Sequence, residues 1–334
     1  MTTTPAGNHP PAGNHPPADS GVVADSGVVA DGGSPADSGV VADGGVVARA
    51  GAPFGTRLAA AMDAYGPLCV GIDPHPALLE AWGLPDDARG LRDFALRVVE
   101  ALAGHVAALK PQSAFFERQG SAGVAVLEDV LGACRDAGVL SVLDVKRGDI
   151  GSTMAGYAQA YLTDGAPLAA DAVTLSPYLG LGSLAPAVEL AHATGRGVFV
   201  LALTSNPEGA SVQHATAADG RSVAAGVVDG VGALNAGGPG PEGLGSVGLV
   251  VGATVGGAVR DLGIDLAASR APLLAPGFGA QGAGRAEVAE VFAGAEHAVL
   301  ASTSRAVLSV GPDAHDLARA AARATAEVRE VLRA

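Results

Sequence analysis

Lysine occurs at only two positions of this chain, Lys110 and Lys146, and each ends an apolar run of the kind that forms strands. The chain has 334 residues with 20 Lys+Arg positions, and all of the others among these positions are arginines. Arginine stays protonated, whereas a lysine ammonium can release a proton where its surroundings allow it. The two lysines therefore indicate chemistry rather than solubility.

A segment of alternating charge surrounds the second lysine. Side chains alternate along a strand, so Asp144 and Lys146 should share one face while Val145 points to the other. Asp149 follows Gly148, where the chain can turn, so we expect a second carboxylate within a few ångströms of the same ammonium. Nearby negative charge favours the protonated amine, which suits charge stabilisation and proton donation rather than Schiff-base chemistry.

This charge arrangement fits a reaction that removes a carboxylate from a substrate. Two fixed carboxylates repel a third, and the repulsion is relieved when carbon dioxide leaves. The carbanion left behind would lie beside Lys146, whose fixed ammonium stabilises the developing charge. Decarboxylation is therefore the chemistry that the segment favours.

The second half of the chain predicts an anion site. Gly277, Gly279 and Gly282 would expose backbone N–H groups after one strand, and Arg305 follows the next strand. The three glycines also spell G-x-G-x-x-G. A dinucleotide site is not expected from them, because the following strand lacks the acidic residue that such a site needs.

The elements that must position these residues alternate regularly from residue 51 onward. The predicted strands are 68–73, 107–111, 140–146, 172–176, 197–204, 247–254, 272–276 and 298–304. Segments with a helical period are 93–105, 122–137, 153–163, 184–193, 285–293 and 314–332, with an extra helix over 57–65 before the first strand. Eight such units predict an α/β fold, the (β/α)8 TIM barrel, whose active site lies at the carboxyl ends of the strands.

Two segments fall outside this pattern. Residues 1–50 consist of short Gly/Pro-rich repeats, which predict a low-complexity, disordered N-terminal tail before a catalytic barrel domain over residues 51–334. The connection over residues 208–245 is longer than an ordinary strand-to-helix loop. We expect it to be either a lid or a slack connection.

Composition excludes several classes of function. At 49% hydrophobic and 16% charged residues the chain can bury a large core, and its net charge of -14 without a basic block argues against nucleic-acid binding. Cys69 and Cys134 offer neither a disulfide framework nor metal-ligand spacing. The sequence contains no run of about 18 apolar residues, so no membrane span is predicted. We therefore expect a cytoplasmic protein.

Taken together, these motifs resemble orotidine 5′-phosphate decarboxylase, in particular its longer bacterial branch, over about residues 53–334. The most specific piece is the segment from Asp144 to Ile150, which fits the family signature D-x-K-x-x-D-I. Supporting pieces are residues 68–74, 110–112, 203–207 and 276–281. One departure is Ser304, which stands where many relatives have a glycine before the phosphate-binding arginine.

The resemblance implies a reaction and an assembly. Lys146 would protonate C6 of the pyrimidine once carbon dioxide leaves, with Asp144 beside the departing carboxylate. Asp149 would reach into the active site of a second subunit, where Ile150 and Thr153 also contribute. The resemblance therefore implies a homodimer with shared active sites.

It also implies how a nucleotide substrate is held. Asp73 and Lys110 would bind the ribose hydroxyls, with Lys110 also part of the charge network, and Ser205 would read the pyrimidine edge. The residues expected around the phosphate are Pro276, Gly277, Gly279, Gln281, Ser304 and Arg305. No metal or organic cofactor is implied.

Two alternatives share parts of this pattern. A magnesium-dependent sugar-phosphate lyase or decarboxylase of the same barrel group has a D-x-K-x-x-D core but needs further acidic ligands at the strand ends. A non-catalytic binder of phosphate ligands would keep the barrel and the phosphate loops, but it has little reason to keep both lysines and the carboxylates between them.

Overall fold

Eight parallel strands close into a barrel, which confirms the predicted fold. The computed structural model describes residues 51–237, 243–278 and 283–333. The strands are β1 Leu68–Ile72, β2 Ala108–Pro111, β3 Leu140–Arg147, β4 Ala172–Leu175, β5 Gly197–Leu203, β6 Val247–Val251, β7 Leu273–Pro276 and β8 Val299–Thr303. Each pairs with the next in chain order and β8 pairs with β1, so the sheet has no open edge.

Helices follow the strands and cover the outside of the barrel. In the described ranges they are α1 Phe54–Tyr65, α2 Pro76–Ala81, α3 Ala88–Leu102, α4 Ser113–Glu117, α5 Gly120–Asp136, α6 Gly151–Leu162, α7 Ala185–Ala193, α8 Ala210–Gln213, α9 Val223–Asn235, α10 Ala258–Asp261, α11 Arg285–Phe292, α12 Arg305–Leu308 and α13 Ala314–Leu332. The extra N-terminal helix is confirmed as α1. Because both faces of the sheet are covered, the strands are apolar almost throughout.

The long connection after β5 differs from the expectation of a lid or slack loop, because it contains the crossover helix α9. Ser222 caps this helix by accepting a hydrogen bond from the N–H of Ala225. Val227, Val228 and Val231 bury its inner face. Tertiary packing therefore forms a helix where the glycine-rich sequence gives little local signal.

Helix α1 closes the amino-terminal end of the barrel. Phe54 packs edge to face on Phe199 of β5, with ring centroids 5.8 Å apart. Arg57 pairs with Asp171 at 2.5 Å and donates to the carbonyl oxygen of Gly195 at 3.0 Å. With this end filled, the carboxyl ends of the strands are left to form a cavity.

Two expectations concern regions beyond the barrel. The predicted disordered tail, residues 1–50, lies outside the described residues. Within the described ranges, no helix combines the length and the apolar content that crossing a bilayer requires.

Candidate active site

A cavity of about 290 Å³ opens at the carboxyl ends of the strands. Side chains from around the whole barrel line it, and the charged groups among them come from β2, β3 or the residue that follows β1. The lining residues are Asp73, Lys110, Asp144, Lys146, Thr174, Leu201, Val250, Leu274, Pro276, Ser302, Thr303 and Ser304. Charged side chains beside an apolar wall suit a ligand with both an anionic and a flat apolar part.

A larger groove, of about 860 Å³, lies on the outside of the barrel between α6 and α7. Its charged lining residues in the described part of the chain, Asp164 and Glu189, are both acidic. Acidic side chains repel a phosphate or a carboxylate. The smaller cavity is therefore the better candidate for chemistry, despite its size.

Asp144 is the centre of the cavity's polar network and accepts four hydrogen bonds. Its Oδ1 accepts from Lys146 Nζ at 2.6 Å and from Thr174 Oγ1 at 2.8 Å. Its Oδ2 accepts from Gln112 Nε2 at 2.9 Å and from Lys110 Nζ at 3.2 Å. An ionised carboxylate has about four acceptor sites, so these donors satisfy it completely.

The electrostatic consequence is a tightly held set of charges. Burial alone would raise the pKa of Asp144, but the ammonium groups of Lys110 and Lys146 and the hydrogen bonds from Lys146 and Thr174 outweigh it and lower that pKa. Burial likewise disfavours the charged form of Lys110, yet the carboxylates of Asp144 and Asp73 hold its pKa above the usual value. Asp144 is therefore ionised and Lys110 protonated at neutral pH.

Lys146 sits at an irregular point of β3. Its φ is 45°, one of two positive φ values found at non-glycine residues in the described ranges. The pairing of β3 with β4 shifts register between Leu143 and Arg147, so the regular ladder is interrupted there. This backbone costs free energy, and such strain is concentrated at functional sites. It aims a side chain that is 46% exposed into the cavity.

Asp73 follows β1 and carries an unused acceptor. Its Oδ1 is buried and accepts no hydrogen bond from the described residues. A buried carboxylate oxygen without a hydrogen bond lowers the stability of the fold, so such an atom calls for a hydrogen-bond donor, here one from a bound ligand. A hydroxyl of a ligand in the cavity would supply that partner.

Asp149, the second carboxylate expected beside the Lys146 ammonium, makes a different contact. No ion pair joins Asp149 to Lys146, although both lie in the described part of the chain; instead Asp149 Oδ1 accepts from the N–H of Ile150 at 2.8 Å. Lys146 therefore pairs with one carboxylate of its own chain, not two. The turn at Gly148 carries Asp149 away from the cavity, toward the exposed Ile150 and Thr153 at the start of α6.

The predicted anion site is assembled only in part. Pro276 and Ser304 line the cavity, and Ser304 Oγ is buried with no partner in the described structure. Gly277 has φ of +103°, a conformation that favours glycine at this turn. Ser205 and Arg305 are exposed and are not among the cavity-lining residues. Gly279, Gln281 and Gly282 lie outside the described residues.

Two partners of Asp144 had no role assigned from the sequence. Thr174 lies within the short apolar strand β4, where a threonine is an ordinary strand former. Gln112 follows Lys110 and Pro111, and its pairing across to β3 is what brings its amide to Asp144. The sequence did offer one indication of this contact. Residues two positions apart on a strand share a face, so Gln112 could have been expected on the same side as Lys110.

Comparison with known proteins agrees with this geometry. Residues 66–320 match the family model described as the Orotidine 5′-phosphate decarboxylase / HUMPS family. A protein of Salinispora tropica named orotidine 5′-phosphate decarboxylase is 61% identical over 279 residues, which is 84% of this chain and 98% of that protein. One of Streptomyces coelicolor with the same name is 58% identical over 283 residues, or 84% and 99%.

Solved structures agree in fold. A crystal structure from Streptomyces avermitilis, provisionally described as the same enzyme, has a TM-score of 0.80 and 55% identity, covering 89% of this chain and all of that one. The OMP decarboxylase of Leishmania donovani has a TM-score of 0.65 and 31% identity, with 84% and 99% covered. The chain therefore belongs to the orotidine 5′-phosphate decarboxylase family.

Proposed function

We propose that this chain converts orotidine 5′-phosphate to uridine 5′-phosphate and carbon dioxide in pyrimidine synthesis, with Lys146 as the proton donor. The observation that carries the proposal is the contact of both lysines with one buried carboxylate at the mouth of the cavity. A fixed ammonium beside developing negative charge is the main way enzymes lower such barriers, and this network supports that role for Lys146.

The reaction needs one bond to break and one to form. The bond between C6 and the carboxylate breaks, its electron pair stays on C6, and carbon dioxide leaves. The Lys146 ammonium then gives its proton to C6, and the neutral amine regains a proton from water. Because Asp144 is compensated by two ammonium groups, stabilisation of the C6 charge by Lys146 carries more of the effect than repulsion by Asp144.

The substrate is held by groups along the cavity. The free Oδ1 of Asp73 and the ammonium of Lys110 are suited to the ribose hydroxyls. Ser205, which follows β5 and does not line the cavity, we assign to the pyrimidine edge on the family resemblance. For the phosphate we propose the loops after β7 and β8. The residues assigned to it are Pro276, Gly277, Gly279, Gln281, Ser304 and Arg305.

We further propose a homodimer in which Asp149 completes the active site of the partner. Ile150 is 63% exposed, and Tyr178 and Leu179 are 76% and 51% exposed on the same end of the barrel. Large exposed apolar side chains of this kind are typical of an interface. Ile150→Asp should therefore shift the sedimenting species toward monomer and reduce turnover together; a monomeric wild type at micromolar concentration would contradict the dimer.

One assay separates the candidate functions. Loss of pyrimidine absorbance is followed after orotidine 5′-phosphate is added to the purified protein with excess chelator present. The decarboxylase turns over under these conditions. A magnesium-dependent lyase would not, and a non-catalytic binder would bind the nucleotide without consuming it.

We assign the activity to the cytoplasm, since the buried thiols of Cys69 and Cys134 are both free.

A further inference from the structure

Thr174 lies at the point where the two key residues of the cavity meet. It is 1% exposed on β4, and its hydroxyl makes two hydrogen bonds. The Oγ1–H donates to Asp144 Oδ1 at 2.8 Å, and Oγ1 accepts from the backbone N–H of Lys146 at 2.9 Å. A carboxylate only accepts and an amide N–H only donates, so the direction of both bonds is fixed.

The backbone of Lys146 depends on this hydroxyl. Its φ of 45° lies in the left-handed region that favours glycine, and the β3–β4 ladder is interrupted at the same place. A regular ladder bond is therefore replaced by a bond to a side chain. Without that bond the Lys146 N–H would lose its hydrogen-bond partner at a partly buried position, and the strained backbone would lose the contact that replaces the ladder.

The three residues form a closed ring of contacts. Thr174 holds the carboxylate of Asp144, the carboxylate holds the Lys146 ammonium at 2.6 Å, and the Lys146 backbone returns to Thr174. A lysine side chain is long and flexible, so fixing both its ends limits where the ammonium can lie. Small displacements of such a group lower the rate of a positioned reaction steeply.

We propose that Thr174 is a positioning residue for decarboxylation, which fixes the Lys146 ammonium through Asp144 and through the Lys146 backbone. The proposal rests on the proposed function. A purely structural role is the competing explanation. Valine has the same shape as threonine and would fill β4 equally well, so a role in packing needs no hydroxyl.

The test compares two pairs of variants that differ only in the hydroxyl: wild type with Thr174→Val, and Thr174→Ser with Thr174→Ala. Turnover of orotidine 5′-phosphate, KM and affinity for uridine 5′-phosphate are measured for each folded variant. Loss of a hydrogen bond to a charged group predicts a kcat lower by roughly 10- to 100-fold in Thr174→Val. KM and product affinity should change by less than about threefold, because Thr174 does not act by uniform binding.

Serine should restore most of the turnover that alanine loses. If Thr174→Val does not fold, the Ser and Ala pair alone decides the question. A Val variant with kcat within about threefold of wild type would overturn the proposal, as would a Ser variant as slow as the Ala variant. A wild-type protein that fails to consume the substrate would instead refute the proposed function, so the two failures are distinguishable.

Discussion

Replacing Asp144 by asparagine removes one charge from a buried network that also holds two ammonium groups. Asp144 and Lys110 have side chains that are 9% and 10% exposed, and their charged atoms lie 3.2 Å apart. Coulomb attraction over that distance is about 5 kcal/mol at an effective dielectric constant near 20. Because the buried Lys110 ammonium loses its hydrogen-bonded carboxylate, we expect Asp144→Asn to lower the free energy of unfolding by about 3–5 kcal/mol.

The stabilisation that Asp144 provides should depend on pH in a defined direction. The pKa of Asp144 is lowered in the folded protein, so its stabilisation is present above the unfolded value and is lost as pH falls through the folded value. The difference between wild type and Asp144→Asn should therefore be largest near neutral pH and shrink below about pH 4. The pKa of Lys110 is raised in the folded protein, so the stabilisation from its ammonium is lost only in strong alkali, above the ordinary pKa of lysine.

Urea unfolding followed by circular dichroism, at matched protein concentration and at neutral and acid pH, measures both effects. Asp86→Asn is the control, since Asp86 forms an exposed ion pair with Arg118 that solvent screens. That variant should unfold close to wild type at both pH values. An Asp144→Asn protein within about 1 kcal/mol of wild type at neutral pH would refute the account of the buried network.

Further predictions concern backbone contacts and thiols. Gly148→Ala should destabilise the fold by about 1–3 kcal/mol and lower turnover, because a Cβ there would meet the carbonyl oxygen of Ser176. Gly226→Ala, in open space within α9, should instead stabilise by about 0.5–1 kcal/mol in the same urea titration, and a reversed order would contradict the packing. Burial raises the pKa of Cys69 and of Cys134 to about 12, so neither thiol should react with a thiol reagent at pH 8 until urea unfolds the chain.

The strands of the barrel were predictable because they are buried on both faces. Such strands are continuous apolar runs, and all eight were located with ends that lie within three residues of those in the structure. The helix α9 was not predicted, since its sequence contains Gly226, Gly230 and Gly232. Glycine lowers helix propensity, and only packing on the barrel compensates for it.

The site was predictable where chemistry determines residue type, and not where backbone geometry does. The scarcity of lysine and the spacing of Asp144 and Lys146 led directly to the charge network. The positive φ of Lys146 and the hydrogen bonds of Thr174 depend on a register shift between β3 and β4. The residue spacing within one strand does not reveal a register shift between two strands. The contacts of Thr174 with Asp144 and Lys146 therefore could not be predicted from the sequence.

The most direct test of the central claim is the turnover of Lys146→Ala on orotidine 5′-phosphate, measured together with its affinity for uridine 5′-phosphate. This variant loses both the ammonium that stabilises charge on C6 and the proton that C6 receives. The account predicts a kcat lower by at least about 10⁴-fold with product affinity close to wild type. A variant that binds the product and still turns over at near the wild-type rate would show that Lys146 is not the group on which catalysis depends.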